Sequence, residues 1–256
     1  MVELRTVREI AAMRAAGAVV AGILAAVRAE AAVGARLVEL DGLARDMLAA
    51  AGATSPFLGY HPAFAPGPFP GVLCLSVNDA VLHGPPSRYR LRDGDLLSVD
   101  CGATLDGWTA DAAVSFCVGH ASSADAALIE ATESALRAGI AAARPGAHLG
   151  DIGAAIAAVA RAGGYGLHTD FGGHGIGHAM HESPSVPNDG QPGRGHRIVP
   201  GLAIAIEPWF MAGGVDAYRV DPDGWTLRSA DGSRAAHVEH SIAVTEQGPI
   251  VLTAAA

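Results

Sequence analysis

The chain has 256 residues, half of them apolar, and a formal net charge of −9. This suits one large domain with a substantial core. All 17 basic residues are arginine and form no basic stripe, so nucleic acid and membrane binding are not expected, and without lysine there is no Schiff-base chemistry.

Three cysteines, Cys74, Cys101 and Cys117, fit neither a zinc ribbon nor a disulfide framework and read as free thiols of a reducing compartment. An alanine-rich helix is expected from about Thr6 to Glu30. Its longest uncharged apolar run, Ala15 to Val27, is too short to cross a bilayer. Glu3 and Glu9 stand where a signal peptide would be basic, so a cytoplasmic protein is expected. A second helix runs from about Leu37 to Ala51, with Leu40, Leu43, Met47 and Leu48 at helical spacing and Gly52 as its stop. Phe57 to Gly71 holds Pro62, Pro66, Pro68 and Pro70 among Phe57, Tyr60, Phe64 and Phe69. It reads as a stiff loop, either a lid over the core or one wall of an apolar pocket. Gly71 to Asn78 then reads as a strand.

Leu96–Leu105 and Trp108–Phe116 are β-favouring runs flanking Asp106-Gly107, the signature of a hairpin with a type I′ turn. Pairing Leu105 with Trp108 sets Gly102 opposite Asp111 and puts Asp100 on the face of Asp111. The two acids become diagonal neighbours with Cα atoms roughly 7–8 Å apart. They repel and raise a pKa unless a cation lies between them. Leu97 and Val99 point to the other face, towards a core.

A second helix pair is expected, from about Ser123 to Ala143, ended by Pro145, and from Leu149 to Ala162, ended by Gly163-Gly164. Gly34–Leu40 matches Gly146–Ile152 in pattern, which fits two halves built on one plan and equally a coincidence in alanine-rich sequence. Gly172–Glu182 surrounds His174 with glycines, which cannot hold a stable helix, so His174 and His178 are a poor i, i+4 zinc pair. In Leu202–Pro208 the isoleucines face one way and Glu207 the other; in His237–Val244, Glu239 faces away from Val238 and His240. Four acids and a histidine on or beside strands make an oxygen-rich site suited to two divalent ions.

Ser76-Val77-Asn78 through His83-Gly84, Asp100 with Asp111, Gly173–Gly177 with His181-Glu182, Ile206-Glu207-Pro208 and Val238–Ser241 resemble the motifs of type I methionine aminopeptidase, in order and separation, over nearly the whole chain. The resemblance implies the α/β (α+β) pita-bread fold: one domain, residues 1–256, with pseudo-symmetric halves at about 1–120 and 121–256. Each half carries a helix pair over antiparallel strands. It implies two divalent metal ions (manganese, iron, cobalt or zinc) held by Asp100, Asp111, His174, Glu207 and Glu239. Asp111 and Glu239 would bridge the ions. Asp100 would chelate one, and His174 and Glu207 would bind the other.

By the same resemblance a metal hydroxide attacks the first peptide carbonyl, with His181 polarising the oxygen. Glu207 relays the proton, and His83 bonds the scissile nitrogen. Phe57, Tyr60, Cys74, Met180 and Trp225 would line the methionine pocket, beside His83 and His181. The implied reaction removes N-terminal methionine from peptides and nascent chains when the second residue is small, and a cytoplasmic monomer is expected. The family often has cysteine where Phe57 stands, and the proline-rich loop is several residues longer than usual. No N-terminal zinc-binding extension is visible, which favours the bacterial form. An Xaa-Pro aminopeptidase of the same fold and a non-catalytic pita-bread peptide-binding protein are the competing readings. Of the other histidines, His237 shares the face of Glu239, which leaves open a supporting role behind the ligands, but it reads first as a surface residue, and His240 points away. His61, His120, His148, His168, His178 and His196 have no expected role in the site.

Overall fold

The computed structural model describes residues 2–254. Helix α1 (Val7–Glu30) starts at Thr6, whose hydroxyl accepts from Glu9 N while the Glu9 carboxylate accepts from Thr6 N at 2.7 Å. Ile10, Met13, Gly17, Val20, Leu24 and Val27 recur every three or four residues and are all buried. Strands β3 (Leu96–Leu105) and β4 (Trp108–Cys117) receive that stripe. With the residues flanking its uncharged run, α1 is long and apolar enough to cross a membrane by length and composition. In the fold its apolar side is spent on the sheet. At Gly17 any side chain would run into the Leu252 carbonyl, so glycine lets the C-terminal segment lie against the helix backbone.

Helix α2 (Leu37–Ala50) packs beside α1, and α3 (Ser123–Ala142) pairs with α4 (Leu149–Gly163). The chain enters α2 and α4 by the same bonds. Gly34 N donates to Leu91 O at 2.7 Å, and Gly146 N to Ile198 O at 2.8 Å. The Glu39 carboxylate accepts from Arg36 N at 2.9 Å, and that of Asp151 from His148 N at 2.7 Å.

The remaining strands are β1 (Leu73–Val77), β2 (Ala80–Leu82), β5 (Gly173–Gly175), β6 (Glu182–Val186), β7 (Ala203–Ile206), β8 (Trp209–Met211), β9 (Tyr218–Val220), β10 (Leu227–Ser229), β11 (Ala235–His237), β12 (Glu239–Thr245) and β13 (Gly248–Val251). The main sheet runs β1-β3-β4-β12-β7-β5-β6, with β13 on β12, and every pairing in it is antiparallel. The β3–β4 register is the expected one: Leu105 faces Trp108 and Gly102 faces Asp111. The turn takes φ 50° at Asp106 and 80° at Gly107, the left-handed pair a type I′ turn needs.

Both helix pairs cover one face of this sheet. Leu97 and Val99 join the α1–α2 core, while Ile204, Ile206, Val238, Ile242 and Val244 join the α3–α4 core. Strand alternation then turns Asp100, Glu207 and Glu239 to the opposite face. Two small sheets, β2-β10-β9 and β11-β8, stand beside that face.

Candidate metal centre

The acids converge because the sheet lines them up. Asp100 pairs in register with Ala113, and Ala113 with Glu239 on the next strand, so a small residue separates the two carboxylates. His240 pairs with Ile206, which leaves Glu207 just beyond the end of β7 beside Glu239. Asp111 lies two residues from Ala113 on the same face. The Ser241 hydroxyl, 2.9 Å from Asp111 Oδ1 and 2.8 Å from Asp111 O, fixes its rotamer. His174 on β5 completes the group: one ligand atom each from Asp111, His174 and Glu239 lie within 4.8 Å of one another. Asp100 and Glu207 line the same cavity.

The tautomer of His174 is set by its backbone. Nδ1 is 3.0 Å from Gly175 O and donates to it, which leaves the Nε2 lone pair free. That atom stands 3.5 Å from Glu207 Oε1 and 3.6 Å from Asp111 Oδ2. A neutral imidazole with a bare nitrogen aimed between carboxylates is what a metal requires of a histidine. Burial supports it by pushing the ring's pKa down to about 4.

The acids carry the opposite strain. Burial raises the pKa of Asp100 well above the ordinary carboxylate range, and the charge of Asp111 adds to it. Glu207 and Glu239 are raised by burial and by their acidic neighbours, and burial pushes Asp111 up to about 6. Among the described residues no arginine pairs with any of the four. Asp100 Oδ1 is buried without a hydrogen-bond partner. Four carboxylates, two of them fully buried and two partly so, with a neutral imidazole and an orphaned oxygen are a donor set that divalent cations fit, because cations supply the missing charge and occupy the bare lone pairs.

The site opens into a cavity of about 1100 Å3 that holds every residue the sequence placed in catalysis, metal binding or the substrate pocket. Phe57, Ala65, Phe69, Cys74, Met180 and Trp225 form one apolar cluster along it. Phe57 is buried, and its ring lies over Gly102, where even a methyl group would press on it. Burial and the neighbouring Asp100 hold the Cys74 thiol protonated. His181 Nδ1 is 3.2 Å from the Tyr60 hydroxyl, and burial lowers its pKa to about 4. His83, also lowered to about 4 by burial, packs edge-on against Phe171 and leaves Nδ1 unpaired. His178 stands outside, stacked on Trp108 at 3.9 Å.

One histidine is corrected. His237 is 2 % exposed, not a surface residue, and its Nε2 lies 3.6 Å from Glu207 Oε2. Counting faces put it beside Glu239 but could not reveal that β8 and the β3–β4 hairpin bury it. Sequence reasoning also missed Phe171 and the groove that continues past the centre along Ser183–Pro187 to Gln191, Arg194 and His196. Those segments carry glycine and proline without periodicity, so nothing local marks them as a wall.

Residues 11–246 match metallopeptidase family M24. The chain is 48 % identical over 260 residues to methionine aminopeptidase 1 of Mycobacterium tuberculosis, covering 99 % of this chain and 95 % of that one. Among solved structures, methionine aminopeptidase from Thermotoga maritima superposes with a TM-score of 0.93 at 35 % identity, covering 99 % of both chains. That from Rickettsia prowazekii superposes at 0.95 and 33 % identity, covering 99 % of this chain and 100 % of the other. The curled antiparallel sheet with its helix pairs is the pita-bread fold of these proteins.

Proposed function

The chain belongs to metallopeptidase family M24, among its methionine aminopeptidases, and we propose how its own residues carry out that hydrolysis. The observation that carries the reading is the uncompensated charge of Asp100, Asp111, Glu207 and Glu239 around a neutral His174, at the floor of an apolar pocket. Two divalent ions match those four charges. Asp100, Asp111, His174, Glu207 and Glu239 would hold them. Bound there, the ions supply Lewis acidity and lower the pKa of water to near neutrality.

The protein does the rest. The substrate's first side chain enters between Phe57, Tyr60, Cys74, Met180 and Trp225, where rings and a sulfur suit an unbranched thioether. Its free amine lies near Asp100, so only a chain's first residue fits. The Tyr60 hydroxyl donates to His181 Nδ1 and leaves Nε2–H for the carbonyl oxygen as negative charge builds on it. Glu207, which lines the cavity beside His174, would take up the proton released from water and pass it to the departing amine. His83 holds the scissile nitrogen, its unpaired ring atom supplying the bond.

Physiological substrates are nascent chains and peptides with a small second residue, met by a cytoplasmic monomer. The test is release of the first residue from Met-Ala-Ser and from an Ala-Pro peptide. Cleavage of the first and not the second supports the reading. Preference for Ala-Pro would move the chain to the Xaa-Pro enzymes, and cleavage of neither by metal-loaded protein would favour a binding role.

A further inference from the structure

We propose that His237 is a positioning residue for Glu207: its Nε2–H donates to Glu207 Oε2 and holds the carboxylate with Oε1 turned to His174. The inference rests on Glu207 being a metal ligand. Two observations point to it. His237 is almost wholly buried, and its Nε2 has no hydrogen-bond partner. That nitrogen stands 3.6 Å from Glu207 Oε2, while Glu207 Oε1 is 3.5 Å from His174 Nε2. The carboxylate is bracketed by two imidazoles, one on each oxygen. The His237 atoms are a few tenths of an ångström beyond hydrogen-bond range, and a small rotation of either side chain closes the gap.

The hydrogen has one sensible place. An ionised carboxylate only accepts, so the nitrogen facing it must be the one that carries hydrogen. A buried polar nitrogen left unpaired forfeits its hydration without replacement, a loss that closing the contact recovers. His237 is not a ligand in its own right, because its Nε2 faces the far oxygen of Glu207, Oε2, while Oε1 is the one turned to His174. Nor does it line the cavity, so it acts through Glu207 and touches no substrate.

The backbone of His237 is fixed with unusual care. Ser98 and Ser115 pair across β3 and β4, their hydroxyls 2.7 Å apart. His237 N donates to Ser115 Oγ at 3.0 Å and to Ser98 Oγ at 3.3 Å, and Ser115 Oγ donates back to His237 O at 2.7 Å. By alternation these serines share the face of Asp100 and Asp111. The hairpin that presents two of the acids therefore also anchors the histidine that aims a third. Asn188 Nδ2, 3.1 Å from Glu207 O, secures the main chain at the same point. Metal-binding carboxylates held in this way lose roughly 10–100-fold in metal affinity when the outer partner goes.

The experiment compares His237→Leu, which keeps bulk and removes the donor, with His237→Gln, which restores an N–H at about the same reach. Chelator-stripped protein is titrated calorimetrically with manganese, with Glu207→Gln as control, and the melting temperature of each stripped variant is recorded. The proposal expects manganese affinity to fall roughly 10–100-fold in His237→Leu and to stay within about threefold of wild type in His237→Gln. Unchanged affinity in His237→Leu, or equal losses in both variants, overturns it. Unchanged affinity in Glu207→Gln would instead overturn the ligand assignment beneath it. Should the leucine variant not fold, nitrogen-15 spectra of the zinc-loaded wild type decide. An Nε2–H tautomer at His237 supports the proposal, and an Nδ1–H tautomer refutes it.

Discussion

Replacing Asp111 by asparagine should make the metal-free protein more stable and the metal-loaded protein inactive. In the metal-free fold Asp111 is 3 % exposed, and burial lifts its pKa from 3.8 to about 6. Because the folded state binds the proton more tightly than the unfolded chain, stability falls as pH rises from about 4 through 6. At about 1.4 kcal/mol per pH unit the loss is about 3 kcal/mol, complete above pH 6. Asparagine avoids this loss while its amide oxygen still accepts from Ser241 Oγ, now 2.9 Å from Oδ1. At pH 7.5 the stripped variant should melt about 5–10 °C above stripped wild type for a chain of this size, and the gap should close near pH 4. With metal about 1,000-fold over its Kd the order reverses, because binding then adds about 4.1 kcal/mol to wild type, more than the variant's advantage, and the amide is a poor ligand. The assay is thermal melting with and without manganese across that pH range, alongside methionine release. A stripped variant less stable than wild type at pH 7.5, or one that gains as much from manganese, would refute the electrostatic account.

His181→Ala should lower kcat by about 10²–10³ and leave manganese affinity nearly intact, because it removes a donor to the carbonyl oxygen. His178→Ala, on the surface against Trp108, should change neither; equal losses in both would mean the two histidines are misassigned. The buried Phe57 ring should make leucine-first and isoleucine-first tripeptides poor substrates beside methionine and norleucine. Phe57→Cys should narrow that gap by about 1–3 kcal/mol in a kcat/KM panel, and ready cleavage of leucine-first peptides by wild type would end the pocket argument. The rise in melting temperature on adding manganese should grow between about pH 5.5 and 7.5, because protons compete for raised carboxylates such as Asp111 while His174, lowered to about 4, stays neutral throughout. A metal effect independent of pH would contradict the acidic ligand set.

What the sequence made legible followed from local rules. Asp106-Gly107 fixes the hairpin register, the register puts Asp100 and Asp111 on one face, and alternation alone turns Glu207 and Glu239 away from Ile206 and Val238. The ends of the second and fourth helices were readable from Gly52 and Gly163-Gly164 as stops. His237 was not, because its burial depends on Ser98 and Ser115, more than a hundred residues earlier, and on the strand carrying Trp209. The short strands β8 to β10 escaped because three residues each hold too little periodicity to announce themselves. The length of the proline-rich loop was visible, but the contact of Phe64 with both Phe171 and Trp225 across the mouth of the pocket was not.

The central claim is that Asp100, Asp111, Glu207, Glu239 and His174 assemble a centre for two divalent ions that acts on N-terminal methionine. It is tested most directly by adding manganese stepwise to chelator-stripped protein while following methionine release from Met-Ala-Ser and bound metal together. The account predicts no release without metal, activity rising with bound manganese, and binding that saturates at two ions per chain. Methionine release that persists in fully stripped protein, or metal bound without any gain in activity, would contradict it.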